Sequence, residues 1–168
     1  YYICFAEVNQ DYCSIPNNSN RDVAIIKINY DGQEIDRDYI CDFAEYFSGY
    51  YDDPLGIVYS EGYIYVAMTA YIHQDDPFYQ EASTNPAGDN EWLLKLDLNA
   101  NIQWVRAFDY CGGTDPNYCG NVRFRDLAIS QDGYPIILGS VSKTWFNGDA
   151  GYGTYISKYG TDGTPIWF

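Results

Sequence analysis

Basic residues are scarce in this sequence: nine Lys and Arg stand against 24 Asp and Glu, which gives a formal net charge of −15 over 168 residues. Recognition of phosphate groups needs a basic face, so this balance excludes a general nucleic-acid binder. The sequence also has no basic cluster that would attract an anionic membrane surface. Long apolar runs are missing too, because the longest stretches, residues 62–70 and 134–141, fall short of the roughly 18 residues of a membrane-spanning helix.

Histidine is equally scarce, since His73 is the only one, and no two of the five cysteines are separated by two residues. Both absences argue against a structural zinc site. In an acidic chain rich in Tyr and Asn, five cysteines instead indicate an oxidising compartment. Cys111 and Cys119 enclose only turn-forming residues, so the two can meet at low entropic cost, and we predict a disulfide between them.

The other three cysteines leave the pairing open. Cys13 can pair with Cys4 or with Cys41, and either choice leaves one thiol, which we expect to be a small buried core residue. The alternative is a bridge from the odd cysteine to another chain. Asn17 begins an Asn-Asn-Ser acceptor triplet and would carry a glycan in a eukaryotic secretory host. These features predict an extracellular or cell-surface protein.

Three segments of the chain align without gaps around a lysine, which is Lys27, Lys95 or Lys158. Asp-Gly after a run of β-forming residues predicts a tight hairpin, because both residues tolerate a positive φ. Such a pair, or a relative of it, begins four residues after each lysine: Asp31 with Gly32, Asn99 with Ala100, and Asp162 with Gly163. Nine residues after the lysine stand Trp104 in the second copy and Trp167 in the third, whereas the first copy has Asp36.

A second repeated block lies between these lysines. Residues 57–67 match residues 127–138, with one extra residue in the turn. Residues 2–6 match the second half of this block and lack the strand that should precede it. Each complete unit therefore reads as four short strands, with the lysine on the third strand and the Trp on the fourth.

Four antiparallel strands in a unit of roughly 60 residues are typical of a β-propeller blade. We therefore predict an all-β fold of four-stranded antiparallel blades in an incomplete ring of about two and three-quarter blades. The predicted units are a partial blade with strands two to four over residues 1–47, a second blade over 48–110 and a third over 111–168.

Several stretches carry a resemblance to a known repeat family. Residues 94–104 read Leu-Lys-Leu-Asp-Leu-Asn-Ala-Asn-Ile-Gln-Trp, residues 108–114 include Gly-Gly, and residues 130–134 read Ser-Gln-Asp-Gly-Tyr. This order resembles the secreted bacterial β-propeller repeats of the pattern KLD-x-x-G-x-x-x-W, F-G-G and S-x-D-G-G-Y, and residues 158–167 look like the same motif. The resemblance implies an extracellular or surface-attached propeller without a particular activity, because such repeats are scaffolds.

Fewer than three blades cannot close a ring, since propellers generally need at least four. We expect the missing strands to come from a longer natural chain, with association of further copies as the alternative. Without completion, strand edges would be exposed templates for pairing. The predicted partners are therefore further propeller blades from the same chain or from other copies. Nucleic acid binding and membrane insertion are not expected.

Long inserts between strands are where binding would reside, because loops carry function on rigid scaffolds. Two inserts place aromatic side chains beside Asp, Asn and Gln, which suits sugars, since rings stack on sugar faces and amides take hydroxyl groups. The candidate glycan contacts are Phe78, Tyr79, Trp145, Phe146 and Tyr152. The alternative is that these aromatics pin the loops to the blades or pack against a neighbouring protein.

Calcium is the one cofactor that the carboxylates suggest. Asp31, Asp97 and Asp162 lie near blade turns, and carboxylates repeated around one face would suit Ca²⁺, which takes many oxygen ligands. Asp also favours turns for its own local hydrogen bonds. Because the sequence contains neither an EF-hand loop nor a calcium-binding nonapeptide, we predict no required cofactor.

The sequence gives little support for a catalytic site. No nucleophile elbow accompanies His73 and Asp75. Carboxylates for glycoside hydrolysis have no fixed separation in the sequence; the candidates are Asp75, Asp76, Glu81 and Glu91. We therefore predict a non-enzymatic, extracellular structural or adhesive module, a building block of a surface protein or fibre. The alternatives are a carbohydrate-binding propeller and a fragment of a propeller enzyme, such as a glycosidase or a quinoprotein dehydrogenase.

Overall fold

The structure, a computed structural model, describes residues 1–8, 21–40, 53–72, 88–108, 121–144 and 150–167. These ranges contain eleven strands and no helix, hence none that is long and apolar enough to cross a membrane. The predicted all-β class is confirmed for this part of the chain. The strands are β1 (Tyr2–Val8), β2 (Arg21–Ile28), β3 (Glu34–Ile40), β4 (Asp53–Ser60), β5 (Tyr63–Ile72), β6 (Gly88–Leu96), β7 (Ile102–Phe108), β8 (Asn121–Ile129), β9 (Pro135–Thr144), β10 (Ala150–Tyr159) and β11 (Pro165–Trp167).

The strands form three antiparallel sheets in chain order. The first sheet is β1-β2-β3, the second is β4-β5-β6-β7 and the third is β8-β9-β10-β11. Within each sheet, every strand pairs with its successor along the chain, so each sheet is a simple meander. The repeat predicted three strands, then four, then four, with Lys27, Lys95 and Lys158 on equivalent strands, and the structure confirms this with β2, β6 and β10.

The hairpins that follow the three lysines share one geometry. Each lysine pairs with the residue nine positions on, and the ladder then shifts register in a β-bulge. The first N–H of each five-residue turn donates to the last carbonyl, at 2.9 Å in residues 29–33, 3.0 Å in 97–101 and 2.8 Å in 160–164. Positive φ occurs only at the fourth residue: Gly32 (78°), Ala100 (59°) and Gly163 (78°).

This geometry corrects one detail of the sequence analysis. The hairpins are present, but the expectation that Asp31 and Asp162 share the positive φ is wrong. The hairpin is the longer kind, in which a single residue in the left-handed region forms the bulge, and not the two-residue turn that needs two such residues.

The β4–β5 and β8–β9 hairpins differ in length, as the extra residue in the sequence predicts. Glu61 and Gly62 have φ of 51° and 86°, so Ser60 pairs directly with Tyr63 across a two-residue turn. The longer turn at residues 130–134 has a positive φ only at Gly133, of 85°. Because antiparallel strands alternate in direction, these turns lie at the same end of their sheets as the turns after the lysines.

The three sheets stack face to face, with the second between the other two. Side chains on β5 and β6 alternate between two apolar clusters, so both faces of the second sheet are covered. β5 is therefore almost continuously apolar, and β6 is apolar at residues 92–94, since neither face meets water there. Each fully buried aliphatic side chain contributes about 1.5–3 kcal/mol.

The two clusters define two interfaces between adjacent sheets. The first interface joins the first and second sheets through Val23, Ile25, Ile40, Ile64, Val66, Met68, Trp92, Leu94, Leu96 and Val105. The second interface joins the second and third sheets through Tyr65, Ala67, Leu93, Phe124, Leu127, Ile137 and Tyr159.

Candidate functional site

Three side chains of the second sheet hold a turn of the third sheet. Lys95 Nζ and Trp104 Nε1 both donate to the Thr161 carbonyl, each at 2.8 Å. Arg106 Nε donates to the Gly163 carbonyl at 2.9 Å, and Arg106 Nη2 donates to the carbonyl of Asp162 at 3.2 Å. We call Lys95, Trp104 and Arg106 the clasp. It binds backbone carbonyls, so it recognises the shape of the turn and not its side chains.

The strand register brings the clasp together. Lys95 on β6 lies opposite Trp104 on β7, and Arg106 follows Trp104 by two residues. Alternate residues of a strand share one face, so all three side chains point at the third sheet. Lys95 and Trp104 occupy repeat positions of the sequence, but Arg106 was not predicted; its signal is the two-residue spacing from Trp104 on one face of β7.

Aromatic rings and burial set the electrostatics of the clasp. Lys95 is only 6% exposed, and its Nζ lies 3.7 Å from the centroid of the Tyr63 ring. Burial lowers the pKa of Lys95, and the nearby carboxylates of Asp162 and Glu61 act in the opposite direction. The Arg106 guanidinium lies 5.7 Å from the Trp104 ring centroid. Both cations therefore combine a carbonyl with an aromatic face.

The turn that the clasp holds is tightly specified. A Cβ at Gly163 would lie 3.0 Å from Trp104 Cδ2 and 3.1 Å from Arg106 Cζ, so both the positive φ and the close approach favour glycine. Asp162 Oδ1 accepts from the Thr164 N–H at 3.0 Å and from its hydroxyl at 2.6 Å. These bonds lower the pKa of Asp162. The turn is thus preorganised for the clasp.

A second pair of turns meets at the same end of the second interface. Ser60 Oγ donates to the Gly133 carbonyl at 2.9 Å. A Cβ at Gly133 would lie 3.0 Å from Glu61 Oε1, so this glycine also allows a close approach. Adjacent sheets are therefore joined through their turns as well as through their apolar faces.

The first interface has acidic residues where the second has the clasp. Lys27 lies opposite Asp36, and Asp38 lies two residues further along β3, which makes Asp36 and Asp38 the equivalents of Trp104 and Arg106. They line a crevice with Leu98 and Ala100 of the next turn. Burial raises the pKa of Asp38, and the charges of Asp36 and Asp97 raise it further. Carboxylates accept hydrogen bonds and cannot donate to the turn.

The clasp positions recur on the outer face of the third sheet. Lys158 pairs with Trp167 in the register that joins Lys95 to Trp104. Lys158 Nζ is hydrogen-bonded to both carboxylate oxygens of Asp132, at 2.7 and 2.6 Å. Trp167 and Ile156 on this face are 43% and 48% exposed.

A buried carboxyl group lies inside the second interface. Glu91 is 2% exposed; its Oε1 accepts from Thr69 Oγ1 at 3.1 Å and lies 3.6 Å from Arg123 Nη1. Burial raises the pKa of Glu91, although hydrogen bonds from the Phe124 backbone and Thr69 and the Arg123 charge oppose the shift. Glu91 Oε2, Tyr155 OH and Ser157 Oγ are buried without a partner among the described residues.

Most sequence-predicted site residues lie outside the described residues. This holds for the glycan candidates Phe78, Tyr79, Trp145 and Phe146, for the disulfide pair Cys111 and Cys119, and for Asn17 and His73. Tyr152 lies on β10, where its backbone pairs with Ser142. Of the four carboxylates considered for glycoside hydrolysis, the structure describes Glu91 and places it in the core between two sheets.

Cys4 is a free thiol, half-buried against the first apolar cluster, so the predicted alternative of a Cys4–Cys13 pair is not formed. Burial raises the pKa of Cys4 to about 11, which keeps the thiol protonated and unreactive. Cys13 and Cys41 lie outside the described residues.

Two of the three carboxylates considered for calcium, Asp97 and Asp162, accept hydrogen bonds within their own turns. Asp97 Oδ1 accepts from the N–H groups of Asn99 at 2.8 Å and Asn101 at 3.0 Å, and Asp162 Oδ1 accepts from the N–H of Thr164 at 3.0 Å and from its hydroxyl at 2.6 Å. In the ranges that the structure covers, no three His, Cys, Asp or Glu side chains are grouped so as to hold a metal ion. The geometry therefore gives Asp97 and Asp162 a turn-stabilising role.

Comparisons with known proteins do not indicate a function, so the function is argued from the fold and the clasp. No protein-family model matches the chain, and the search of curated proteins finds no significant match.

Proposed function

We propose that the chain is an extracellular or cell-surface structural or adhesive module of the β-propeller type, a building block completed by further sheets from a longer chain or from other copies. The observation that carries this proposal is the repeated docking of one sheet on the next. A second sheet buried on both faces, and a third sheet whose outer face repeats two of the three clasp positions as Lys158 and Trp167, are features of a series that continues.

A propeller-type arrangement is supported by the order of the sheets. Each sheet is a meander that lies within one predicted unit, 1–47, 48–110 or 111–168. Strands β1 and β4 lie close together, as do β4 and β8, so successive sheets contact through their leading strands. Radial packing of blades around an axis requires such contacts, and three sheets are fewer than a ring contains.

A scaffold role is favoured over catalysis by where the polar groups are directed. The clasp, the Ser60 contact and the capped turns all use their hydrogen bonds to join sheets. Lys95, which has the lowered pKa that would suit a catalytic amine, donates to a backbone carbonyl inside the second interface. These groups stabilise an assembly of sheets.

Electron microscopy of the purified chain, paired with a broad glycan array, tests this function. We expect regular assemblies of several copies, or rings when further sheets of the same repeat are fused to the chain, and no glycan signal. The control is Trp145→Ala, which removes the tryptophan among the candidate glycan contacts and is expected to leave assembly unchanged. Single copies that bind a defined glycan, with binding lost in Trp145→Ala, would establish the carbohydrate-binding alternative instead.

A further inference from the structure

Among the described residues, Glu91 is the one buried carboxyl group, at 2% exposed. On β6 it shares a face with Leu93 and Lys95, so its side chain enters the second interface, whereas Trp92 and Leu94 enter the first. A charge on this carboxyl group therefore acts on the contact between the second and third sheets.

Strand β8 of the third sheet supplies close neighbours of Glu91. The Phe124 backbone N–H donates to the carboxyl group, and Arg123 Nη1 lies 3.6 Å from Glu91 Oε1. From the second sheet, the uncharged Thr69 donates its hydroxyl to Oε1 at 3.1 Å. Glu91 Oε2 is buried without a partner in the described part of the chain. One oxygen of the carboxyl group is thus hydrogen-bonded, and the other is enclosed without a donor.

The third sheet offers Glu91 little compensating charge. The facing cation, Arg123, has a side chain that is 51% exposed, so water screens its attraction for the buried acid. Tyr155 on β10 faces Glu91 as a neutral phenol, because burial and the charge of Glu91 raise the pKa of Tyr155. The other titratable groups of this interface, Lys95 and Tyr159, lie four residues further along β6 and β10, at the clasp.

Burial decides which form of Glu91 the closed interface favours. It raises the pKa of Glu91 above 4.5, and the hydrogen bonds from Phe124 and Thr69 and the charge of Arg123 offset only part of this effect. A carboxylate that leaves the interface regains water at both oxygens. The neutral acid therefore favours contact between the second and third sheets, and the carboxylate favours their separation.

The first interface has no buried acid of this kind among the described residues. Its core cluster is wholly apolar. Asp36 and Asp38 lie at its turn end, where Asp36 is exposed and Asp38 is half-buried. Because parts of a protein can open separately, ionisation of Glu91 can act on the third sheet alone.

We propose that Glu91 is a pH-sensitive switch for the docking of the third sheet. Neutral Glu91 allows the third sheet to pack on the second, and ionised Glu91 favours release of the third sheet as a unit while the first interface stays closed. The switch concerns the second interface itself and goes beyond the proposed function. In a structural module, it makes the continuity of the docked sheets depend on pH.

Raising the pH opens the third sheet, and acid closes it. In the released state Glu91 has its ordinary pKa of 4.5, and in the docked state its pKa is higher. The opening equilibrium is therefore lowest below pH 4.5, increases by at most about tenfold for each pH unit up to the docked pKa, and is constant above it.

Hydrogen exchange of the full chain, followed by mass spectrometry between pH 4 and 8, tests the switch. The intrinsic exchange rate depends on pH in the same way for all amides, so the ratio of exchange in β9 and β10 to exchange in β1 and β2 removes this dependence. Conditions are chosen so that reclosing is faster than exchange. We expect the ratio to increase with pH by roughly threefold or more in the parent chain.

Three variants separate the charge of Glu91 from its packing. Glu91→Gln keeps the shape and an acceptor oxygen but cannot ionise, so we expect its exchange ratio to stay constant with pH. Arg123→Gln removes the facing cation, and we expect the increase to continue to a higher pH than in the parent chain. The matched control is Glu34→Gln, which removes an exposed carboxylate from the first sheet and should keep the pH dependence of the parent.

Two results would overturn the switch. One is a ratio that stays constant with pH in the parent chain, because the third sheet then does not open or opens together with the first. The other is an increase that is equally large in Glu91→Gln. Neither result contradicts the structural module, which fails instead if single copies bind a defined glycan.

Discussion

The two interfaces between adjacent sheets have apolar cores of the same design and differ at the turn. In the second interface, Lys95, Trp104 and Arg106 donate to three consecutive carbonyls of the next sheet. In the first interface, Asp36 and Asp38 stand in the places of the indole and the guanidinium, next to a turn of the same geometry. The backbone contact surface and the lysine are repeated, while the indole and the guanidinium that bind the turn in the second interface are not.

This difference separates two ways of joining repeats. The first interface contains the larger set of buried apolar residues, including Trp92 and Met68, each 0% exposed. The second has fewer of them and adds hydrogen bonds to carbonyls, whose positions depend on the turn and not on its side chains. A charged donor to a carbonyl contributes about 1.5–3 kcal/mol where it is desolvated. The second interface therefore depends on turn geometry, and the first depends mainly on burial.

Replacing a turn glycine should break the second interface specifically. Gly163→Ala forces a Cβ towards Trp104 and Arg106 at a φ of 78°, and we expect it to lower the free energy of unfolding by about 2–3 kcal/mol. Gly32→Ala is the matched control, since it has the same φ with nothing within 4 Å of the added Cβ, and should cost only about 1 kcal/mol of backbone strain. Urea unfolding measures the free energy of unfolding of both variants. Equal losses in Gly163→Ala and Gly32→Ala would contradict a role for the clasp.

The buried Glu91 should make the second interface less stable as the pH rises above 4.5. Burial raises its pKa above the ordinary 4.5, so the folded chain holds the proton more tightly than the unfolded chain. The resulting stabilisation is complete below pH 4.5 and is lost as the pH rises through the folded value. We therefore expect Glu91→Gln to gain stability relative to the parent chain as the pH increases from 4 to 8.

The difference between Glu91→Gln and the parent isolates this group. Carboxylates with lowered pKa values, such as Asp97 and Asp162, give the opposite trend in both proteins and cancel in the comparison. Thermal unfolding at several pH values measures the stability difference between Glu91→Gln and the parent chain. A difference that stays constant across the range would show that Glu91 does not titrate between the folded and unfolded states.

Installing a clasp residue in the first interface should make it resemble the second. Asp38→Arg places a guanidinium where Arg106 stands, beside Leu98 and Ala100 of the adjoining turn. We expect a gain of about 1 kcal/mol in the free energy of unfolding from a new hydrogen bond to a turn carbonyl. Asp38→Asn is the control, because it relieves the repulsion from Asp36 and Asp97 without adding the guanidinium donor. If Asp38→Asn and Asp38→Arg raise the free energy of unfolding equally, the effect comes from relief of charge repulsion alone.

The repeat was predictable because its signals are local. The lysine spacing and the Asp-Gly pairs specify strands and hairpins through nearest-neighbour geometry, and the structure confirms both. The clasp was not predictable, because its acceptors are backbone carbonyls 56 to 66 residues away that no side-chain pattern reveals. The choice between a two-residue turn and a bulged turn was also missed, since Asp-Gly suits either one and the ladder register decides between them.

Ala100 differs from its two equivalents, Gly32 and Gly163, at the positive-φ position of the turns after the lysines. It has a φ of 59° at a position where the other two copies have glycine, and the left-handed region costs a Cβ-bearing residue about 1 kcal/mol. We expect Ala100→Gly to stabilise the chain by roughly 0.5–1 kcal/mol, less the entropy that glycine loses on folding. Asn99→Gly is the matched control, because its φ is not positive, and it should destabilise slightly. Urea unfolding of both variants decides the point. A loss of stability in Ala100→Gly would mean that the Ala100 methyl group, which packs against the first apolar cluster, outweighs the backbone strain.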